Sequence, residues 1–323
     1  FQLSGHRETW PVRSSGFKRW LAREFYLRTR SAANSSAIAD ALAVIEARAQ
    51  FDGDERAVSL RVAEGPGDAV YIDLGGSEWN AVCVTPDGWT IVNDPPLHFR
   101  RSQMTRPLAH PIAGGSVELL RPFLSVPDED HFICIVGWLL GALRPRGPYP
   151  LLAFVAEQGA GKSFTAQLLR SLVDPAAVAL RGMPREERDL VIAARSNTVI
   201  ALDNVSSLPQ WLSDALCRIA TGAGWATRTL YTDSDEQVFS QSRPAILTGI
   251  EDFIANGDLL DRTMLVALRA IPEDQREQEL VLWQKFDAVQ PLIFGALLDA
   301  VAAALRNLPT VDLRALPRMA DFA

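Results

Sequence analysis

Residues 151–169, LLAFVAEQGAGKSFTAQLL, constrain the fold of this chain more than any other stretch. The apolar run Leu151 to Ala156 reads as a buried parallel strand, and a short glycine-rich loop follows. Lys162-Ser163 comes next, then Phe164, Leu168 and Leu169 at helical spacing. Strand, glycine loop, Gly-Lys-Ser and helix, in that order, is the context a phosphate-binding loop requires. Gly159 and Gly161 allow the dihedrals that turn successive N–H groups onto an anion. A helix opening at Lys162 adds unpaired N–H groups and the positive end of its dipole. In such a loop Lys162 reaches the β and γ phosphates and Ser163 Oγ ligates Mg²⁺. Glu157, Gln158, Gly159, Ala160, Gly161, Lys162, Ser163 and Phe164 are the candidate nucleotide contacts.

The full motif begins with Gly, and here that position is Ala156. A Cβ is tolerable there only with a negative φ. Composition supports the reading, because Lys18, Lys162 and Lys285 are the only lysines among 32 Lys+Arg residues. A chain that otherwise uses arginine places a lysine where a compact point charge is the usual phosphate ligand.

A second buried strand, Thr198 to Leu202, ends in Asp203-Asn204. An acid at the C-terminal end of a strand downstream of a phosphate loop is the second half of such a site, holding Mg²⁺ at the mouth of the parallel sheet. Ser163 and Asp203 are therefore the candidate metal ligands. The residue after that acid is usually Glu, a base for the attacking water. Asn204 stands there instead, and a neutral amide orients water without accepting its proton.

The rest of the chain divides into three parts: a helical segment over 1–56, a small β-rich domain and linker over 57–125, and the phosphate-loop domain over 126–323. Helices are expected at Phe17–Leu27 and Ile38–Ala49, the second capped by Ser35 or Ser36. Short β-rich segments (58–62, 69–74, 81–85, 89–92) separated by glycine-containing turns predict an antiparallel sheet. Trp79 and Trp89 read as core or interface. Residues 93–115 form a linker or strap, and a helix over Asp130–Leu143 leads into the phosphate-loop domain. Beyond Asn204 the pattern gives a helix over Leu208–Ala220 and a hairpin whose turn is 232–236. A strand at Ala245–Thr248, another at Met264–Leu268, and two helices, Glu273–Val289 and Leu292–Leu308, follow.

The net charge of −7 makes no global case for nucleic acid. In the first thirty residues, however, Arg7, Arg13, Lys18, Arg19, Arg23, Arg28 and Arg30 face only Glu8 and Glu24, read first as a solvated helix face and second as a nucleic-acid contact. The isolated cysteines (Cys83, Cys134, Cys217) argue against disulfides and structural zinc. The longest apolar run, Phe132 to Leu143, is shorter than the roughly 20 residues a bilayer span needs. No membrane association and a cytoplasmic location are expected. The chain opens on Phe1 rather than Met, so a fragment or processed product is expected.

This order of parts resembles the superfamily 3 helicases of the AAA+ class, especially poxvirus-type and phage or mobile-element primase-helicases. The residues that carry the resemblance are AEQGAGKS (156–163), VIALDN (199–204), GWATRTLYTD (224–233), AILTG (245–249) and LLDR (259–262). It implies an α/β fold, an AAA+-like P-loop NTPase with a central parallel sheet, preceded by a smaller α+β N-terminal domain. It implies an ATP-hydrolysing motor acting in phage or mobile-element replication, with ATP and Mg²⁺ as ligands, DNA (single- or double-stranded) as partner, and a homo-oligomeric, hexameric ring. The catalytic set it implies is Lys162, Asp203, Asn204, Thr248 and Arg262. Thr248 would be the first sensor, where Asn is usual, and Arg262 the arginine finger entering the neighbouring subunit's site. A surface ion pair with Asp261 or Asp258 is the competing reading of Arg262, and Arg228 and Arg243 are alternative fingers. The family's hairpin tracks DNA with a basic tip, whereas Asp233-Ser234-Asp235-Glu236 here would repel phosphates, leaving Arg228 and Tyr231 on its flank for contact. The alternative is a nucleotide-dependent switch or assembly ATPase that hydrolyses slowly and acts on protein partners. A P-loop kinase is disfavoured for want of a lid or acceptor site.

Overall fold

The computed structural model of the chain describes residues 2–3, 6–228, 236–239, 241–250, 253–312 and 319. A ribbon of β1 (Gln2–Leu3) and β2 (His6–Arg7) precedes two helices, α1 (Ser15–Thr29) and α2 (Ser35–Phe51). The Ser14 hydroxyl accepts the Phe17 N–H at the start of α1, and the Asn34 side chain accepts the Ala37 N–H at the start of α2. The cap of α2 is thus Asn34 and not Ser35 or Ser36, because Asn34 is the last residue with extended dihedrals.

Six strands follow: β3 (Val58–Ser59), β4 (Val62–Glu64), β5 (Val70–Asp73), β6 (Ala81–Thr85), β7 (Gly88–Val92) and β8 (His98–Phe99). β4 to β7 form an antiparallel meander in chain order, and β3 pairs in parallel with β8. The strand expected over 58–62 is split because Arg61 turns its side chain into the interior. There it is 1% exposed and donates to Asp174 and to the carbonyls of Asp73, Arg106 and Pro175.

The remaining elements are α3 (Glu129–Ala142), β9 (Leu151–Val155), α4 (Lys162–Val173), α5 (Glu187–Ser196), β10 (Ile200–Val205), α6 (Gln210–Thr221), β11 (Trp225–Arg228), β12 (Glu236–Phe239), β13 (Ala245–Gly249), α7 (Gly257–Leu260), β14 (Thr263–Ala267) and α8 (Glu279–Asn307). Four of the strands make one parallel sheet in the order β10-β13-β9-β14. β9 and β13 are central and covered on both faces, which explains why LLAFV and AILTG read as unbroken small and apolar runs rather than alternating ones. The expected α/β fold with a central parallel sheet is therefore present.

Asp203 and Asn204 fall inside β10 rather than after it. The pairing slips there, since Leu202 faces Leu247 while Val205 faces Gly249. Asn204 takes a left-handed φ of 56°, which lets the strand continue beyond the irregularity. β11 and β12 confirm the hairpin's flanks, with Arg228 opposite Glu236, so Glu236 belongs to the returning strand and not to the turn. Tyr231 and the tip at 233–235 lie outside the described residues.

The two C-terminal helices are one. α8 runs through Pro291, and a 3₁₀ turn at Glu273–Gln275 occupies the start of the first expected helix. Continuity across the proline is imposed by packing, since Phe286 on one side and Ile293, Phe294, Leu297 and Leu298 on the other enter the same core. That core also takes Ile72, Val82 and Val84 from the meander, Trp138 from α3 and Phe154 from β9. Among the described residues α8 is the one helix long and apolar enough to cross a bilayer, a longer stretch than Phe132–Leu143, and much of its apolar surface is buried inside the protein.

A buried ionic cluster fastens the meander to the helix behind the glycine loop. Asp174, at the end of α4, accepts the Arg61 Nε–H at 3.3 Å and the backbone N–H groups of Thr198 and Val199, each at 2.9 Å. Arg170 on α4 donates to Asn197 Oδ1 and to three backbone carbonyls, and burial pushes its pKa down to about 10 against the pull of Asp174. Each side-chain nitrogen of Arg61 and Arg170 donates at least once and both oxygens of Asp174 accept, the condition under which buried charge is tolerated.

Candidate phosphate-binding site

The loop that ends β9 leaves the strand at Ala156, turns through Gly159 (φ 82°) and Gly161 (φ 76°), and enters α4 at Lys162. Both glycines stand in the left-handed region, and Gly161 is the N-cap, with no side chain to satisfy the first N–H groups of α4. Those donors stay directed at the space above the loop. Ala156 is buried and does not have a positive φ, so its Cβ is accommodated where the motif usually has Gly.

Lys162 folds back under the loop. Its Nζ donates to the Ala156 carbonyl at 2.6 Å and to the Glu157 carbonyl at 2.8 Å. An ammonium has three protons, so one donor remains for an anion. Burial pushes the Lys162 pKa below its ordinary value, and the charge of Asp203 pulls part of the way back. An incoming polyphosphate would offset that desolvation with negative charge beside the ammonium.

Asp203 is the hub on the opposite wall. Ser163 Oγ donates to its carboxylate at 2.8 Å, and Thr248 Oγ1 donates to the same Oδ1 at 2.5 Å. The Asn204 N–H in turn donates to Thr248 Oγ1 at 3.0 Å. The strand order explains the contact, because β13 lies between β9 and β10 and brings Thr248 to the mouth of the sheet beside Asp203. A cavity of about 400 Å³ is bounded by Gln158 to Phe164 together with Asp203, Asn204 and Thr248. A larger one of about 830 Å³ adjoins it across Gly159, Gly161 and Phe164, floored by residues 121–126 and roofed by 269–282.

A family model described as Actinomycete integrative conjugative element replication protein matches residues 118–323, nearly two-thirds of the chain. The chain belongs to this family. Membership agrees with the replication role implied by the resemblance drawn from the sequence. No match was found among curated proteins. Among solved structures, the chain is similar to the apo NrS-1 C-terminal region, with a TM-score of 0.49 and 11% identity over 88% of this chain and 61% of that one. It is similar to SCCmec type IV Cch, described as an active helicase, with a TM-score of 0.43 and 14% identity over 91% of this chain and 54% of that one. JCV helicase follows with a TM-score of 0.33 and 13% identity, over 57% of this chain and 62% of that one. The chain thus spans less than two-thirds of the length of each of these.

In this member of the replication-protein family, Lys162, Ser163, Asp203, Asn204 and Thr248 are brought to one cavity from three separate elements. Phe164 lines both cavities and packs edge-on against Trp283 of α8, with ring centroids 5.3 Å apart. Glu157 contributes its carbonyl to Lys162 and points its exposed side chain elsewhere than the cavity wall. Arg262 is not part of the cavity. It precedes β14, at the end of the sheet opposite the glycine loop, and is ion-paired with Asp258 at 2.6 Å. Arg243 donates to Ala194 O, Ser242 O and Gln241 Oε1, and burial pushes its pKa down to about 10.

Sequence reasoning missed Arg276. Its Nη2 would lie 3.6 Å from a Cβ placed on Gly159, so its guanidinium stands against the loop itself. Assigning 273–289 to one helix hid it, because the 3₁₀ turn is what carries Arg276 over the loop. The roof is fastened to the floor where the Arg269 N–H donates to Ser125 O at 2.7 Å and its guanidinium donates to Pro127 O. No local sequence signal marks that pairing.

Proposed function

We propose that this chain binds and hydrolyses ATP as a ring-forming motor of superfamily 3 helicase type, acting on single- or double-stranded DNA in the cytoplasm during replication of a mobile element. The observation that carries the reading is the convergence of Lys162, Ser163, Asp203 and Thr248 on one cavity at the mouth of a β10-β13-β9-β14 sheet. A chance Gly-Lys-Ser would have no reason to meet a strand-borne carboxylate 2.8 Å from its serine.

The donor set fits Mg²⁺. Ser163 Oγ and the Asp203 carboxylate are hard oxygen donors side by side, and a magnesium ion takes one or two such protein ligands with waters and phosphate oxygens. Bound there, it would offset the negative charge of the transferring phosphoryl group. Lys162 and the loop N–H groups hold the phosphates in place. Ser163 turns its hydroxyl away from Asp203 to present a lone pair. Thr248 and Asn204 stand beside Asp203 and orient a water. Asp203 is the only carboxylate lining this cavity among the described residues, so no second carboxylate there serves as a base for that water. Catalysis then rests on positioning and electrostatics, with Arg262 supplied to the neighbouring subunit of a hexamer.

The absence of a second lining carboxylate equally favours an alternative in which ATP is held and hydrolysed slowly, and the chain works as a switch or assembly ATPase on protein partners. ATP turnover measured with and without single-stranded DNA, alongside mass measurement with ATP, separates the two. DNA-stimulated turnover in a ring supports the motor. Slow turnover indifferent to DNA supports the switch, and failure to bind ATP at all would sink both.

A further inference from the structure

The N-terminal helix α1 has a packed side and a bare one. Phe17 is buried and stacks with Trp20, their ring centroids 5.3 Å apart, and Leu21 is half-buried on the same side. Arg19, Arg23 and Tyr26 recur at i, i+4 and i+7 on the opposite side, and Arg30 closes the helix on the same line. All four are exposed, Tyr26 by 50%. Arg23 shares Glu24 at 2.9 Å, whereas Arg19 and Arg30 have no ion-pair partner among the described residues. The helix is firmly held at its start. The Trp10 ring lies against Gly16, and His6 stacks on Trp79, over which the Arg101 guanidinium sits at 3.8 Å.

We propose that the Arg19–Arg23–Tyr26–Arg30 face of α1 is a nucleic-acid-binding surface that tracks the phosphate backbone of a single strand. The choice of DNA as partner rests on the function proposed above. Charge complementarity singles out this face, because Arg7 and Arg13 are paired with Asp94 and Glu46 whereas Arg19, Arg23 and Arg30 share only Glu24 among the described residues, in a chain of net charge −7. Arginine holds phosphate oxygens in its planar fork. Tyr26, set between Arg23 and Arg30, presents an exposed ring on which a base stacks without sequence preference. The stripe extends about 16 Å along the helix, long enough for several consecutive phosphates. It also supplies what the acid-rich hairpin sequence 233–236 lacks, a cationic contact for the strand.

The test is fluorescence anisotropy of the full chain with a labelled single-stranded oligonucleotide over a salt titration. A parallel arm uses vesicles containing phosphatidylserine. In the variant carrying Arg19→Gln, Arg23→Gln and Arg30→Gln, binding should weaken about tenfold or more near 0.1 M salt, and the salt slope should fall by about 2. Tyr26→Ala should weaken binding with the slope unchanged. Lys18→Gln with Arg28→Gln, off the stripe, should change both far less, and all variants should keep the parent's helicity and DNA-free ATP turnover. Triple-variant binding equal to the parent's overturns the surface and leaves the motor reading intact. An off-stripe effect as large per charge overturns it in favour of bulk charge, and binding to vesicles but not DNA overturns it in favour of a membrane. A stripe-dependent DNA complex in a chain without ATP turnover keeps the surface and overturns the motor.

Discussion

Thr248 Oγ1 donates to Asp203 Oδ1 while accepting the N–H of Asn204, so the hydroxyl proton has one direction available to it. Thr248 is 1% exposed, so these bonds are sheltered from bulk solvent. Thr248→Val keeps the shape and removes the relay. The expected cost is about 1 kcal/mol of stability, read as a lowered Tm, because one hydrogen-bonded hydroxyl is lost. ATP affinity should stay near the parent's while turnover falls about tenfold or more. Equal losses in both would mean that Thr248 serves binding rather than chemistry.

Lys162 should give nucleotide binding an alkaline limit. Its pKa is held below the ordinary lysine value by burial, and a bound polyphosphate favours the charged form and raises it. Affinity is therefore complete below the pKa of the free protein and declines as pH rises through it, with proton uptake on binding. Titration calorimetry from neutral pH into the alkaline range should show this decline beginning earlier than a solvent-exposed lysine would dictate. Lys162→Ala should abolish binding at every pH, and retained binding would remove Lys162 from the site.

The Arg61–Asp174 pair joins the N-terminal meander to the end of α4. Arg61→Ala leaves Asp174 buried beside Arg170 with one partner fewer, and removal of one member of such a pair costs about 3 to 5 kcal/mol. Chemical denaturation should show that loss in the midpoint. A shift under about 1 kcal/mol would mean that water replaces the guanidinium.

Arg262 is held by Asp258 at the far end of the sheet from its own glycine loop, so any part it takes in hydrolysis is played in a neighbouring copy. Arg262→Ala alone should bind ATP and fail to turn it over. Mixed with Lys162→Ala, it should regain activity at roughly a quarter of the interfaces of a randomly mixed ring, where an intact lysine meets an intact arginine. Mixtures as inactive as either variant would retire Arg262 as the finger.

Legibility in the sequence followed the range of the forces involved. The glycine loop, Lys162 and Ser163 were readable because one local segment specifies strand, turn and helix together. Asp203 was readable as the acid near the end of an apolar run, although the slip that places it inside β10 depends on the register with β13. Pro291 was misread as a break because a local rule was applied where the core on both sides of the proline decides. The split between β3 and β4 was hidden because Arg61 finds its carboxylate 113 residues further along the chain. Arg276 had no signal at all. Its nearness to Gly159 is made entirely by the way the segment after β14 folds over the loop.

β13 does more than fill the space between β9 and β10. It begins only a few residues after β12, the returning arm of the hairpin, and it ends at Thr248 and Gly249 in the cavity. Between the two, the Arg243 backbone N–H is fixed to Ile219 O at 2.9 Å and its guanidinium to Ala194 O. The chain is thus clamped at Arg243 and, along β13, hydrogen-bonded on both edges until it meets Asp203. The strand acts as a stiff pushrod: a change in what Thr248 touches has no slack loop between it and Arg243 in which to dissipate.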